Sequence, residues 1–270
     1  PEGPAEDAGL QAGDLIVSMD NHPFTGLSAG EIYSQVRSSS AQLSVFDIRR
    51  SDGTISRVDV QRGEYQLPAL RHRVVGDALV ARIPFFGTGT AEALAEALQS
   101  TEAYSAVVLD LRDNGGGLLA EAVATADQFL DPGAVVVQLE HDGQQDPILG
   151  PSVSIWVGAT VVLINHGTTG VAEGLAAALQ DHRRATIVGT RSAGQGVQTS
   201  HYPAGRGFVL EIADTNLTSP SGQSWHGTGV VPDIVVEAQQ LTIPVRTIPI
   251  PPDLQRDAAL QLISNEQSVH

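Results

Sequence analysis

The chain of 270 residues contains no cysteine. That excludes a disulfide framework, a thiolate nucleophile and any Cys-ligated metal. Lysine is missing too, since all 15 basic residues are arginine. No Schiff-base amine and no lysine general base can therefore be drawn from this sequence. Positive charge is scarce overall: 31 acidic residues leave a net charge of −16, which makes nucleic acid and anionic membrane poor partners. No apolar run reaches the roughly 18 residues of a membrane span. His22, His72, His141 and His182 are scattered through turn-like segments without metal-ligand spacing. Neither a metal nor a cofactor is expected. No leader pattern is visible, and the chain opens at Pro1-Glu2-Gly3 within what reads as a folded module. That leaves room for an upstream segment.

What is present is ample apolar material. Hydrophobic residues make up 41%, enough for one large domain or two smaller ones. Residues 1–65 read as a small β-rich module. Leu15–Met19 follows a Gly-Asp turn. Ser28 and Glu31 form a capping box that opens a helix to about Arg37. Leu43–Ile48 and Ile55–Val60, joined through Ser51-Asp52-Gly53, spell a hairpin. The pattern breaks near Gln66–Arg73. Beyond it, strands alternate with helices: Ala78–Ile83, a helix over Thr88–Gln99 capped by Thr90, Ala106–Leu111, a helix over Leu118–Leu130, Ala134–Leu139, Ala159–Ile164 and Ala185–Gly189. Such alternation predicts an α/β fold with a mostly parallel sheet covered on both faces. Phe208–Ala213 and Ile234–Val236 make a β-rich C-terminal portion. Residues 239–270 form a Pro-rich tail with a short helix over Pro252–Ile263.

The stretch Asn165–Gly174 stands at the centre of this pattern. It joins a buried-looking strand to an alanine-rich helix. A sharp strand-to-helix turn puts free backbone N–H groups and the helix dipole beside one small side chain, a favoured seat for a nucleophile. Here the turn residues are Gly167, Thr168, Thr169 and Gly170.

Several segments resemble a known family. Gly3–Ile16, GPAEDAGLQAGDLI, resembles part of a bacterial PDZ domain. Leu109–Leu118, LDLRDNGGGL, is similar to the LDLR-x-N-x-GG signature of the C-terminal processing (tail-specific) peptidases. Asn165–Glu173 resembles their nucleophile turn, usually N-x-G-S/T-A-S-A-S-E. Gly189–Gln198 is similar to the lysine-bearing segment, usually ending T-F-G-K-G-x-x-Q. Thr218–Gly222 and Gly227–Ile234 resemble the closing signature. The match runs in order along nearly the whole chain. It implies a peptidase core with crotonase-like layers over 66–238. It also implies a PDZ-like module over 1–65 whose first strand and carboxylate loop are not in this sequence.

The departures fall on the chemistry. The resemblance places the nucleophilic serine at Gly170 and the catalytic lysine at Gln195. Glycine has no hydroxyl, and a glutamine amide accepts no proton at ordinary pH. Thr169, Ala172 and Ala193 also stand where the family usually has Ala, Ser and Phe. Two unlike changes amid this drift point to natural divergence rather than engineering. The scaffold positions persist: Gly116 and the N–H of Val171 match the oxyanion hole. Gln198 resembles the residue that orients the lysine, with a spacing one residue short. Asp110 and Arg112 match structural positions and are expected to form a buried pair.

Thr168 and Thr169 are the substitute nucleophiles to weigh, with His166 two or three residues away. Moving a nucleophile one residue along a helix start rotates it by roughly 100°, away from the oxyanion donors. Thr168 is instead expected to cap the helix. A related branch of these peptidases pairs serine with histidine, which draws attention to His201 and His226. The leading expectation is a catalytically silent relative that binds peptides or protein C-terminal tails, or regulates an active paralogue. By resemblance it is periplasmic or secreted. The alternatives are an active endopeptidase using Thr168 or Thr169 with a histidine, and an acyl-CoA enzyme on a crotonase-like core. Labelling by a fluorophosphonate probe discriminates the first, and CoA binding the second.

Overall fold

The computed structural model describes residues 3–11, 14–39, 41–50, 52–63, 68–100, 104–141, 143–150, 154–205, 208–237 and 253–267. They fall into two compact units, 3–63 and 68–237 with 253–267. The boundary expected at Gln66 and most of the Pro-rich stretch after Gln239 lie outside the described residues.

The first unit contains α1 (Pro4–Asp7), β1 (Leu15–Met19), β2 (His22–Pro23), α2 (Ala29–Ser38), β3 (Leu43–Arg49) and β4 (Ile55–Gln61). Its strands form one antiparallel sheet in the order β2-β1-β3-β4. Alternation along β3 and β4 buries Phe46, Ile48, Val58 and Val60 on one face, with Met19 and Phe24 beside them. Ile32 and Val36 of α2 pack on this cluster, one helical turn apart. The capping box is present: the Ser28 N–H donates to Glu31 Oε2 at 2.7 Å and the Glu31 N–H donates to Ser28 Oγ at 3.3 Å.

The second unit runs β5 (Arg71–Val75), β6 (Ala78–Arg82), α3 (Thr90–Leu98), β7 (Ala106–Asp110), α4 (Leu119–Asp127), β8 (Val135–His141), β9 (Gln144–Leu149), β10 (Ala159–Ile164), α5 (Val171–Asp181), β11 (Thr186–Gly189), β12 (Val197–Pro203), β13 (Val209–Thr218), β14 (Ile234–Val235) and α6 (Leu254–Gln267). Six strands form the central sheet, ordered β14-β11-β10-β7-β6-β5. Every neighbouring pair is parallel except β5 with β6. The strands β7 and β10 read as nearly continuous apolar runs, broken only by Asp110 and Thr160, because both of their faces are covered. Val107, Leu109, Val162 and Ile164 enter one core with residues of α3, α4 and α5. Ala106, Val108, Val161 and Leu163 enter the opposite core with Ala259 and Ile263 of α6. Each fully buried Val, Leu or Ile contributes about 1.5–3 kcal/mol, so these two layers dominate the unit's stability.

A second, antiparallel sheet, β12-β13-β8-β9, completes the unit. Two strands here were not legible in the sequence, β5 (RHRVV) and β9 (QQDPIL). Both lie at sheet edges; β9 is largely exposed and β5 half-buried. They carry no alternating apolar pattern, so pairing alone makes them strands. Thr90 does not cap α3. Gly89 is the residue before the helix, and the Thr90 hydroxyl turns back to donate to the Gly87 carbonyl at 2.7 Å.

Candidate functional site

Three turns of the second unit meet at the C-terminal ends of β7, β10 and β11. The first leaves β10 at Ile164 and enters α5 at Val171. Gly170 caps that helix with φ 60° and ψ −124°, a conformation that side chains of L-residues hold only under strain. An ideal Cβ built there meets only the Gly116 Cα, at 4.0 Å. The position is thus sterically open and conformationally costly. Gly170→Ala is expected to fold and to lose about 1–3 kcal/mol, measured by denaturant unfolding.

The expected cap role of Thr168 is not what the structure has. Thr168 is fully buried, accepts from the Asn165 N–H at 3.1 Å and donates to the Leu111 carbonyl at 2.8 Å. It stitches the β10 turn to the end of β7 instead of facing the helix. The Thr169 N–H donates to the Asn114 carbonyl at 2.9 Å. His166 is exposed on the same turn. Asn165 tightens the turn from inside: its Oδ1 accepts from the N–H groups of Gly167 (3.0 Å) and Asp113 (2.9 Å).

The second turn follows β7. Asn114 is fully buried, its amide donating to the Ile83 carbonyl at 2.9 Å and its Oδ1 accepting from the Gly116 N–H at 2.8 Å. Gly116 (φ 90°) lies directly against the first turn: a Cβ there would sit 3.3 Å from the Thr169 carbonyl oxygen and 3.8 Å from the Val171 nitrogen. A Cβ on Gly117 (φ 127°) would run into the Phe86 carbonyl. Gly116, Gly170 and Val171 are therefore brought together. The Gly116 amide is engaged by Asn114, while the Val171 N–H opens a helix and has no acceptor within it.

The third turn, Thr190–Gly196, follows β11. Its position is set by Glu173, a fully buried carboxylate on the first turn of α5. One oxygen, Oε1, accepts from the Ser192 hydroxyl at 2.5 Å and the Gly194 N–H at 2.6 Å. The other, Oε2, accepts from the Gly170 N–H at 2.9 Å and the Gln195 N–H at 2.7 Å. A single oxygen thus bridges the backbones of the two positions at which serine and lysine are expected. Gly194 and Gly196 leave no room for a side chain, since each would strike the backbone of residues 226–229. The side chains of Gln195 and Gln198 are exposed. Gln198 and His201 lie on β12, opposite Thr215 and Glu211. The one-residue shortfall in spacing coincides with a register irregularity between Gln198 and Thr199. The His201 side chain lies outside the described residues, and His226 is exposed.

Glu173 is the residue that sequence reasoning passed over. Its signal was there: a glutamate three residues after a helix-opening residue is the reciprocal half of a capping box. That it also holds a loop 21 residues away has no local signature.

Beneath the second turn, Asp110 and Arg112 pair as expected. Arg112 donates to Asp110 at 2.8 Å (Nε) and 2.6 Å (Nη2), and to Asp253 at 2.6 Å (Nη1) and 2.8 Å (Nη2). Bidentate pairing on both sides matches the guanidinium fork and fastens the start of α6 to the glycine turn. Burial pushes the Asp253 carboxyl up, but the bonds from Arg112 and the Arg256 amide outweigh it and hold it below its ordinary value. The sign follows: the unfolded chain binds this proton more readily, so the stabilisation is full above the ordinary carboxylate range, about pH 4, and is lost as pH falls below it. Asp253→Asn is expected to cost about 1–2 kcal/mol at pH 7, allowing for its partial exposure. The difference from the unmodified protein should shrink below pH 4, as read by unfolding across that range.

The chain's likenesses accord with this geometry. Residues 77–236 match the model of peptidase family S41, and residues 1–50 match that of a PDZ domain. A carboxy-terminal-processing protease of Bartonella bacilliformis is 35% identical over 246 residues, covering 87% of this chain and 56% of its own. A carboxyl-terminal-processing protease of Synechocystis is 29% identical, covering 97% of this chain and 62% of its own. The chain thus spans little more than half the length of these relatives. Among solved structures, a photosystem II D1 C-terminal processing protease aligns with TM-score 0.61 at 26% identity, over 91% of this chain and 68% of that one. A Bacteroides fragilis protein assigned to the S41 proteases aligns with TM-score 0.73 over 98% of this chain and 76% of its own, at 19% identity, a likeness of fold. With the strand-turn-helix site, the glycine turn against it and the matches in hand, the chain belongs to peptidase family S41, among the C-terminal processing peptidases.

Proposed function

We propose that this member of the family is catalytically silent and binds peptides or protein C-terminal tails without cutting them, alone or as regulator of an active paralogue. The observation that carries the reading is the site that Glu173 holds together. The backbones of Gly170 and Gln195 are bridged by one carboxylate oxygen, yet neither residue brings a nucleophile or a base. Acyl transfer needs both. The oxyanion-hole positions Gly116 and Val171 still adjoin Gly170, and the PDZ-like unit belongs to a class of module that grips extended tails once its first strand and carboxylate loop are supplied. We place the protein in the periplasm or outside the cell, as the family resemblance implies. Among the described residues no helix is long and apolar enough to cross a membrane.

The test is a fluorescent, unstructured peptide ending in apolar residues. Saturable binding by anisotropy, with the peptide intact by mass spectrometry after prolonged incubation, is the expected result. Cleavage at a rate abolished by Thr169→Ala or His166→Ala would sink the reading and install the rearranged peptidase. The hydroxyl of Thr168, committed to the Leu111 carbonyl, makes Thr169 the position to test first.

A further inference from the structure

Apart from the three turns of the site, the second unit carries a groove of about 810 Å³ walled by α3 and α4, with the end of β9 at one side. Its lining has four features that bear on what it holds. Ala91 and Ala95 of α3, and Ala120 and Ala124 of α4, line it as two rows, each pair one helical turn apart. Small rows of this kind let another backbone approach closely. Leu149 and Ile155, 49% and 39% exposed, stand at its margin as apolar surface left in water. Glu92, which lines it, and Glu96 on the same helix are exposed carboxylates, whereas Asp127 is buried. Finally, Gln128 lines the groove while only 8% exposed: its Nε2 donates to the Ala91 carbonyl at 2.7 Å, and its Oε1 has no partner. That oxygen is itself enclosed, so the groove presents an occupant with apolar surface and not with this amide.

The walls decide the backbone form of the occupant. The main-chain groups of α3 and α4 are spent within those helices, so an extended peptide finds no ladder along them. The edge strand β9 is interrupted by Pro147, which has no N–H to offer. An occupant must satisfy its own backbone, which means a helix. Along α4 the lining runs from Leu119 to Gln128, roughly 14 Å at 1.5 Å per residue, which seats two to three helical turns. The exposed carboxylates of Glu92 and Glu96, on a chain of net charge −16, disfavour a second copy and favour cationic flanks. We propose that this groove docks an amphipathic helix with an apolar stripe and Lys/Arg flanks, contributed by a partner protein.

A displayed library of peptides of about 18 residues, long enough to fold as helices on binding, provides the probe. It is panned on the protein and counter-panned on Ala124→Arg, a change at an exposed position whose unaltered melting temperature is checked first. Enriched peptides should share apolar residues at i, i+3, i+4 and i+7 with flanking Lys or Arg, and gain helical circular dichroism on binding. They should lose at least tenfold in affinity to Ala124→Arg and severalfold to Glu92→Lys. Enrichment that is acidic, Pro-rich or indifferent to Ala124→Arg overturns the proposal, as does no enrichment. A concentration-dependent dimer abolished by Ala124→Arg would assign the groove to a second copy instead.

Discussion

Gly170→Ser combined with Gln195→Lys should raise peptidase activity well above that of the unmodified chain. The expected gain in hydrolysis of an unstructured, apolar-tailed peptide is at least about 10²-fold over the unmodified chain. That is well short of the roughly 10⁶-fold loss that removing a nucleophile or its base inflicts on an intact enzyme. Three physical reasons support a gain of this limited size. A hydroxyl has room at position 170, where an added Cβ meets only the Gly116 Cα at 4.0 Å. The backbones at 170 and 195 are already tied to one oxygen of Glu173, so the new side chains start from adjacent, fixed anchors. Against this, Gln195 is exposed, and a lysine in its place keeps a pKa near the ordinary value of about 10.4. The restored rate should therefore climb from pH 7 toward pH 10 as the amine becomes neutral. The double variant should also be less stable than the natural chain by about 1–3 kcal/mol, because serine at φ 60° is strained where glycine is not. Gly170→Ser alone should stay inert for want of a base. A silent double variant would mean that Gly116, whose amide is engaged by Asn114, serves no oxyanion, and would favour a role through protein partners.

Glu173→Ala should produce the largest loss of stability of any single change at the site, at least about 4 kcal/mol. Four donors converge on this buried carboxylate, three backbone amides and the Ser192 hydroxyl, and each buried donor left unmet costs about 1–3 kcal/mol. For a unit of this size that is a fall of about 10 °C in melting temperature. Glu173→Gln should be milder but still destabilising: its amide supplies one acceptor oxygen and sets an NH₂ group against two donors. Hydrogen exchange makes the test specific. If the carboxylate holds the two turns together, the amides of Gly194 and Gln195 lose protection in Glu173→Gln before the central strands do. Uniform loss of protection would reduce Glu173 to a generic core residue. The carboxylate thus fixes the shape of the site whatever side chains stand at positions 170 and 195.

The architecture was readable because its periods are local. The β7 and β10 runs, AVVLD and ATVVLI, are apolar but for Thr160 and the terminal Asp110, as suits strands covered on both faces. The alanine-rich helices follow the 3.6-residue repeat that one covered face imposes. That glycine and glutamine stand at positions 170 and 195 was likewise visible as residue identity, needing no coordinates. Edge strands such as β5 and β9 escaped, because half-exposed pairing leaves no apolar period behind. Thr168 and Thr90 were misread as caps for a related reason: a hydroxyl near a helix start has several carbonyls within reach, and only the packed structure selects Leu111 or Gly87.

The sequence by itself determined the α/β pattern, the family and the identity of the residues at positions 170 and 195, since each resides in the order and chemistry of neighbouring residues. Only the tertiary structure decided what organises the site. It brought Glu173 to Gly194 and Gln195 across 21 and 22 residues, and Arg112 to Asp253 across 141. Contacts of such separation come from burial and chain topology, which place groups together without leaving a periodic mark on the chain.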